Sequence, residues 1–519
     1  TENVISIFDT AISEKPIHKF EIPSKVNCLA YLSDSILLTG NKNGLVQMWN
    51  VFNGKLVNTH GTPDGEMINA LSVSMNQQFL AIGNNAGIIK IWNLLDGSSK
   101  EWIGHSSKVL SVHFSRVRAS ESELLISGSV DGTTKIWNRV TGKEVLTLFS
   151  IDSLDWAVVT PDGLFDASPG AMELMYYTVG LEVVELDQLK SSFYQPGLLR
   201  IKLGHEKLHP IVTTNINSLD LSNKFKAEII ENHINVFFEL SADGSKKLSL
   251  FVGDKEVDQN INPEGLLEIK NIDLLKYSKY FLEDTNYIYL VSYNKDESLH
   301  SQAYPLIYKF SSGSKSGSGE INTNEPVSFK GLPDLYALVV GTSKYSGEIT
   351  KLVFPDKDAE SMAQGLKAIG NRLFDHVFLS LLTTASQNVD SISNRNNIEK
   401  ILKDFAIKAK AKDVLLVYFS GHGSTFAENG KPQFYYLTKD VTTSDLSNQD
   451  VRNNFTISSN DLSAWLTAIP ARKQVLIFDA CHSGEVISSL ETSARDISPS
   501  KIIALDRLKD RSGTFILTG

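Results

Sequence analysis

Cysteine is nearly missing from this chain: its 519 residues include two, Cys28 and Cys481. So small a supply excludes a disulfide scaffold and fits a reducing compartment, so a cytoplasmic location is expected. Long apolar runs are missing as well. None approaches the roughly 18–20 residues that a membrane span requires, and no basic stretch followed by an apolar one marks a secretory signal near the N-terminus. Nor is there an excess of positive charge. The formal net charge of −10 argues against non-specific binding to nucleic acid or to an anionic membrane. What is there, 42% hydrophobic and 21% charged residues, is the balance of a globular chain. At this length a single core is unexpected, and a multidomain protein is predicted.

The first third repeats itself. The segments NGLVQMWN, AGIIKIWN and DGTTKIWN end at Asn50, Asn93 and Asn138, with Trp49, Trp92 and Trp137 spaced 43 and 45 residues apart. Glycine stands five residues before each tryptophan (Gly44, Gly87, Gly132), nine before (Gly40, Gly83, Gly128) and five after (Gly54, Gly97, Gly142). Such fixed offsets mark tight turns between alternating, half-buried strands. This pattern resembles the WD40 blade of a β-propeller, and Gly104-His105 at the start of the third unit adds to the likeness. The family's Asp after the tryptophan is Asn here. Residues 1–149 are therefore read as a partial propeller of three recognisable repeats. Propellers close with about four to eight blades. The chain opens on Thr1 rather than Met, so further blades are expected upstream. A propeller implies a binding face for a protein regulator or sensor rather than a reaction.

Residues 150–228 read as a connector with a few short elements. Over 229–311 the runs INVFFEL, KKLSLFV, NYIYLVSYN and QAYPLIYKF are strand-like and separated by turn residues, which predicts a small Ig-like β-sandwich. SSGSKSGSGE at Ser311–Glu320 opens a flexible linker over 312–333.

From 334 to 519 strand and helix patterns alternate. Tyr336–Gly341, His376–Leu381, Val414–Phe419, Gln474–Ala480 and Thr514–Thr518 read as strands, and Asp356–Ile369, Asn396–Ala409 and Asn460–Ala468 as helices. Branched, fully apolar strands predict an α/β domain whose mainly parallel sheet is covered on both faces. Ligands of such sheets sit at the carboxyl ends of the strands. Two ends stand out there: Val414–Phe419 runs into SerGlyHisGlySer, which puts His422 on a turn, and Gln474–Phe478 runs into AspAlaCysHisSerGly, which puts Cys481 just past a strand. If the strands are parallel neighbours, an imidazole base and a thiol meet at one sheet edge as a Cys–His dyad needs. The backbone N–H groups of Gly423 and Cys481 are then candidates for an oxyanion hole.

In this order and spacing, YALVVGTSKY, PDKDA, VYFSGHG and VLIFDACHSG resemble the caspase and metacaspase cysteine peptidases. The resemblance covers roughly 334–519 and implies His422 and Cys481 as the catalytic pair, peptide-bond cleavage through a thioester acyl-enzyme, and no cofactor for the chemical step. Calcium activation is left open. In metacaspases the acids matching Asp358 and Asp479 line the pocket for the residue before the scissile bond, where two carboxylates select Arg or Lys. Caspases proper need a basic pocket instead, and Lys344 is the one nearby cation. The polar stretch from Glu485 to Gly513, which carries Arg495, Lys501, Arg507, Lys509 and Arg511, matches the region where the family is cut between its subunits, and it reads equally as a self-cleavage segment or a solvated loop. The resemblance also implies further strands and a helix after Gly519. Proteins of this layout are mostly microbial and are associated with regulated cell death and defence.

Plainer readings stand beside these. Cys28 reads as a small buried hydrophobe. Asp479 can serve simply to tie down its turn, and Asp358 to balance a helix N-terminus. His482 adjoins Cys481 but has no companion ligands at metal-binding spacing, so no metal is expected. Ser420, Ser424 and Ser483 lack a nucleophile-elbow context. The rival functions are a non-catalytic scaffold for protein–protein interaction and a related cysteine hydrolase that cuts after another residue such as Asn.

Overall fold

Each tryptophan repeat builds one antiparallel sheet. The computed structural model describes residues 4–8, 15–22, 24–61, 65–115, 124–179, 182–205, 224–239, 246–294, 297, 299–311, 332–428, 431–482 and 499–518. Of residues 480–482 it describes the backbone. The linker over 312–333 therefore falls almost wholly outside the described residues.

Val26–Ser33, Ile36–Asn41, Leu45–Asn50 and Leu56–Gly61 form the first four-stranded sheet, and the second and third repeats form two more. The turn glycines behave as expected: Gly44, Gly87 and Gly132 have φ of +71°, +83° and +82°. The glycines nine residues before each tryptophan have a different reason. They lie inside strands, and a Cβ on Gly40 would stand 2.6 Å from Ile68 Cγ2, one on Gly83 2.6 Å from Val109 Cγ1. Their lack of a side chain lets one sheet press onto the next. Two of the tryptophans are anchored by their indole N–H groups: Trp49 donates to Thr39 Oγ1 at 3.0 Å and Trp137 to Ser127 Oγ at 2.8 Å. His105 Nε2 lies 2.8 Å from that same Ser127 oxygen, and its Nδ1 lies 2.9 Å from Asp131. Asn can replace the usual Asp because its amide oxygen still closes the turn, accepting the N–H of Phe52 at Asn50, of Leu95 at Asn93 and of Thr141 at Asn138. The segment read as a connector adds Trp156–Val159 and Phe165–Ala167 to the edge of the third sheet, making it six-stranded. Cys28 lies half-buried with its sulfur 3.9 Å from the Ile68 carbonyl, and burial pushes its thiol up to about 12.

These sheets belong to one compact unit, residues 1–186 with 195–208, while residues 187–194 and 209–519 form a second. In the second unit, seven strands from Phe225–Ile230 to Tyr304–Phe310 make a three-stranded and a four-stranded antiparallel sheet over one shared core that includes Val236, Leu250 and Leu290.

The α/β part follows. Its strands are β1 (Leu335–Gly341), β2 (Val377–Leu382), β3 (Val414–Glu428), β4 (Lys431–Leu437), β5 (Thr456–Ser458), β6 (Lys473–His482) and β7 (Thr514–Thr518). Its helices are α1 (Pro355–Leu373), α2 (Arg395–Lys408), α3 (Gln449–Phe455), α4 (Ser459–Ala468) and α5 (Pro499–Ser512). Parallel pairing runs in the order β2-β1-β3-β6-β7, and the far half of β3 turns to pair antiparallel with β4, which pairs with β5. The sheet is thus mixed and curled rather than simply parallel. Val339, Tyr418 and Ile477 pack with Ala359 and Met362 of α1 on one face. Leu338, Val417 and Phe478 pack with Leu402 of α2, Leu462 of α4 and Leu505 of α5 on the other. Pro355 at the start of α1 and the acids Asp356 and Asp358 in its first turn suit a helix N-terminus. A capping box between Ser458 and Asp461 starts α4. Helix α5 departs from the sequence reading, which left its residues in a polar stretch. Ile503, Ala504, Leu505 and Leu508 form its buried face between charged residues.

These two antiparallel sheets are joined to the α/β part through a buried amine. Lys255, 3% exposed, donates to the carbonyl oxygens of Leu466 (3.2 Å) in the last turn of α4 and of Ile469 (2.6 Å) and Ala471 (3.0 Å) just after it. A cation suits a helix C-terminus, whose last carbonyls lack partners. Burial and the nearby Lys279 and Arg472 charges push this amine down to about 7. The neighbouring Glu256, also buried, faces Arg511 of α5 at 3.8 Å. Residues 187–194 dock on the same helix: Lys190 pairs with Asp510 at 2.9 Å, and Arg507 donates to the Ser191 carbonyl at 3.3 Å.

Candidate active site

Strand β3 does not stop at Phe419, nor β6 at Ala480. His422 and Cys481 lie within these strands rather than on turns beyond them. The reason is pairing. The two strands run parallel from Val414↔Lys473 through Ser420↔Asp479 and His422↔Cys481 to Gly423↔His482. His422 and Cys481 are therefore register neighbours on adjacent strands, which are spaced about 4.8 Å apart in a sheet. Strand alternation sets Ile477 and Asp479 in one row, beside the row of Tyr418, Ser420 and His422.

His422 is 6% exposed. Its backbone N–H donates to the Tyr345 hydroxyl at 2.8 Å, and that hydroxyl donates to the Thr342 carbonyl at 3.0 Å. The two rings face each other with centroids 5.2 Å apart. Its Nε2 lies 2.7 Å from the carbonyl oxygen of Thr350. A carbonyl accepts only, so Nε2 carries the proton and the lone pair sits on Nδ1. That Nδ1 is buried and has no hydrogen-bond partner among the described residues. Burial holds the imidazole below its ordinary pKa, with the Thr350 bond opposing. A neutral ring with a free lone pair is a proton acceptor.

The backbone around His422 is held from behind. Tyr436, fully buried, donates to the Ser420 carbonyl and meets Thr342 Oγ1, both at 2.8 Å. Gly421 is required there: φ is +153°, and a Cβ would stand 2.9 Å from the Tyr436 hydroxyl. Gly423 is paired with Tyr436 of β4 as well as with His482 of β6, so the expected oxyanion donor belongs to two ladders rather than to an open turn.

Tyr418 meets Asp479 directly. Its hydroxyl donates to Asp479 Oδ2 at 3.3 Å. Burial pushes the phenol up to about 12, and the charges of Asp479 and Asp358 add to that rise while a hydrogen bond with Ser420 opposes it. Asp479 is exposed, because strand alternation turns Phe478 to the other face of the sheet. Asp358 is half-buried in the first turn of α1. Its neighbour Asp356 has a separate task, accepting the N–H and hydroxyl of Thr384 and so fixing α1 to the end of β2. Lys344 is exposed. Among the described residues, the side chains close enough to share a cation are Asp334, Asp375 and His376, which precede β1 and β2 at the sheet edge opposite His422.

Residues 334–513 match the caspase domain family, and residues 14–50 and 98–138 match the WD domain, G-beta repeat. The C-terminal region is a caspase domain. No curated protein matches the chain. Among solved structures it is similar to the crystal structure of RRP9 WD40 repeats (19% identity, 28% of this chain and 51% of that one, TM-score 0.24) and to the structure of U3-55K (20% identity, 28% and 53%, TM-score 0.24). The chain spans about half the length of each of these two. The crystal structure of the computationally designed Ika4 protein is also similar (22% identity, 28% of this chain and 92% of that one, TM-score 0.21). WD40 repeats generally mediate protein–protein interaction, and no described helix is long and apolar enough to cross a membrane.

Two groups of the caspase domain's site escaped the sequence reading. The Thr350 carbonyl is a backbone atom and leaves no signature. Tyr345 closes the YALVVGTSKY run, yet only the folded loop shows its hydroxyl beneath His422.

Proposed function

We propose that the chain is a cysteine endopeptidase that cleaves proteins after Arg or Lys. Cys481 is the nucleophile and His422 the base that takes its proton, and a thioester acyl-enzyme is then hydrolysed by water. The observation that carries this reading is the register pairing of His422 with Cys481, with the Nδ1 lone pair of His422 left unengaged. The N–H groups of Gly423 and Cys481 are proposed to hold the oxyanion, which requires Gly423 to give up a ladder partner as substrate binds. The carboxylates of Asp358 and Asp479 are proposed to bind the basic side chain before the scissile bond, through charge-assisted hydrogen bonds.

The repeats are proposed to bind a protein regulator, and the two antiparallel sheets over one core support reading residues 225–310 as an Ig-like sandwich within that regulatory region. Cytoplasmic regulated cell death or defence is the proposed setting. The test combines a thiol alkylator with a positional peptide library. Rapid labelling at Cys481 that is lost in His422→Ala, with cleavage after Arg or Lys, supports the peptidase. Slow labelling that ignores His422, with no cleavage of any peptide, leaves the non-catalytic scaffold.

A further inference from the structure

We infer that Tyr418 is a specificity-positioning residue: its hydroxyl holds the Asp479 carboxylate in place for the basic side chain of the substrate. The inference rests on the basic-pocket reading and says how that pocket is kept in shape.

Three observations carry it. The phenol ring is anchored, 5% exposed and packed with Val339 and Ala359, so its hydroxyl emerges from the sheet face at a fixed point. That hydroxyl lies 3.3 Å from Asp479 Oδ2. Asp479 itself is exposed and has no ion pair among the described residues. An exposed carboxylate samples several rotamers, and a ligand that needs one of them loses affinity in proportion.

A phenol suits this task better than a cation. A Lys or Arg beside Asp479 would neutralise the carboxylate that must meet the substrate's positive charge. A hydroxyl orients Oδ2 while leaving Oδ1 and the full negative charge available. The phenol is too weak an acid to ionise at neutral pH, so it stays a donor. Main-chain contacts to a peptide are untouched by this arrangement, and the effect falls on recognition of the basic side chain.

The test is Tyr418→Phe in the full chain, which keeps the ring and removes one oxygen. KM for peptides with Arg or Lys before the cleaved bond is expected to rise about tenfold, the scale of one hydrogen bond to a charged group, with kcat within about twofold. Binding of agmatine, a guanidinium without a cleavable bond, is expected to weaken by the same factor in calorimetry. In an Asp479→Asn background the Tyr418→Phe change should add nothing, whereas a merely structural tyrosine would cost the same in both backgrounds. Equal agmatine affinity in the native chain and Tyr418→Phe removes the role of Tyr418 and leaves the pocket standing. A native chain that neither binds agmatine nor cuts after basic residues removes the pocket, and the inference with it.

Discussion

The imidazole Nε2 of His422 is hydrogen-bonded to the main-chain carbonyl of Thr350, at 2.7 Å. This bond fixes the tautomer, and burial lowers the proton affinity of the ring. Protonation at Nδ1 would abolish the acceptor, so activity is lost as pH falls through the imidazole pKa. Because that pKa lies below 6.5, the acid limb of the kcat/KM profile is expected below the usual histidine range. His422→Ala should lower kcat/KM by about 10³-fold. A pH–rate profile on one basic peptide checks both statements.

Tyr345→Phe strips the hydroxyl that accepts the His422 N–H. It leaves that donor buried and unpaired, which costs about 1–3 kcal/mol. A lower thermal midpoint and a fall in kcat larger than the change in KM are expected. Unchanged kcat would mean that the tyrosine supports the fold without setting the base.

Asp358→Asn and Asp479→Asn keep shape and remove charge. Each should weaken cleavage after Arg and Lys by about 10–100-fold, as loss of a charge-assisted contact implies. A positional library should show no compensating taste for acidic residues.

Lys255 offers a stability test with a definite sign. Its folded pKa of about 7 lies below the ordinary 10.5. Between those values the unfolded chain holds a proton that the folded chain lacks, so stability rises with pH across that window. Below about 7 both states are protonated, and above 10.5 neither is. The expected contribution is at most about 1.4 kcal/mol per pH unit. Denaturation of the native chain and Lys255→Met at several pH values isolates it: the difference in slope should vanish outside the window.

Self-cleavage in the Glu485–Gly513 stretch is constrained by α5. Lys501, Arg507, Lys509 and Arg511 are in this helix, and peptidases take extended chain, so nicking concentrates in loops. New N-termini are expected before residue 499, where Arg495 is the remaining basic candidate; it lies outside the described residues. Edman or mass mapping that finds a cut after Lys509 would contradict this.

The sequence made the strand-and-helix alternation of the caspase domain readable because its buried runs are continuous and its helices amphipathic. It misled where charges interrupt an apolar face, as in α5, whose Ile503, Leu505 and Leu508 are separated by Asp506 and Arg507. His422 and Cys481 stood out through the glycines and polar residues flanking them. That both lie inside paired strands was not legible, since glycines read as turns in the absence of a partner strand. The exposure of Asp479 follows from strand alternation, which turns Phe478 to the opposite face of the sheet. Tyr345, Tyr418 and the Thr350 carbonyl act through distances that no spacing rule encodes.

The amine of Lys255 among the carbonyls at the end of α4 has an architectural consequence. Glycine and serine around Ser311–Glu320 read as a seam where parts can be exchanged, yet the antiparallel sheets before that seam close a helix end beyond it. A shuffled protein that kept 334 onward but replaced 225–310 would therefore inherit a caspase domain with one frayed helix.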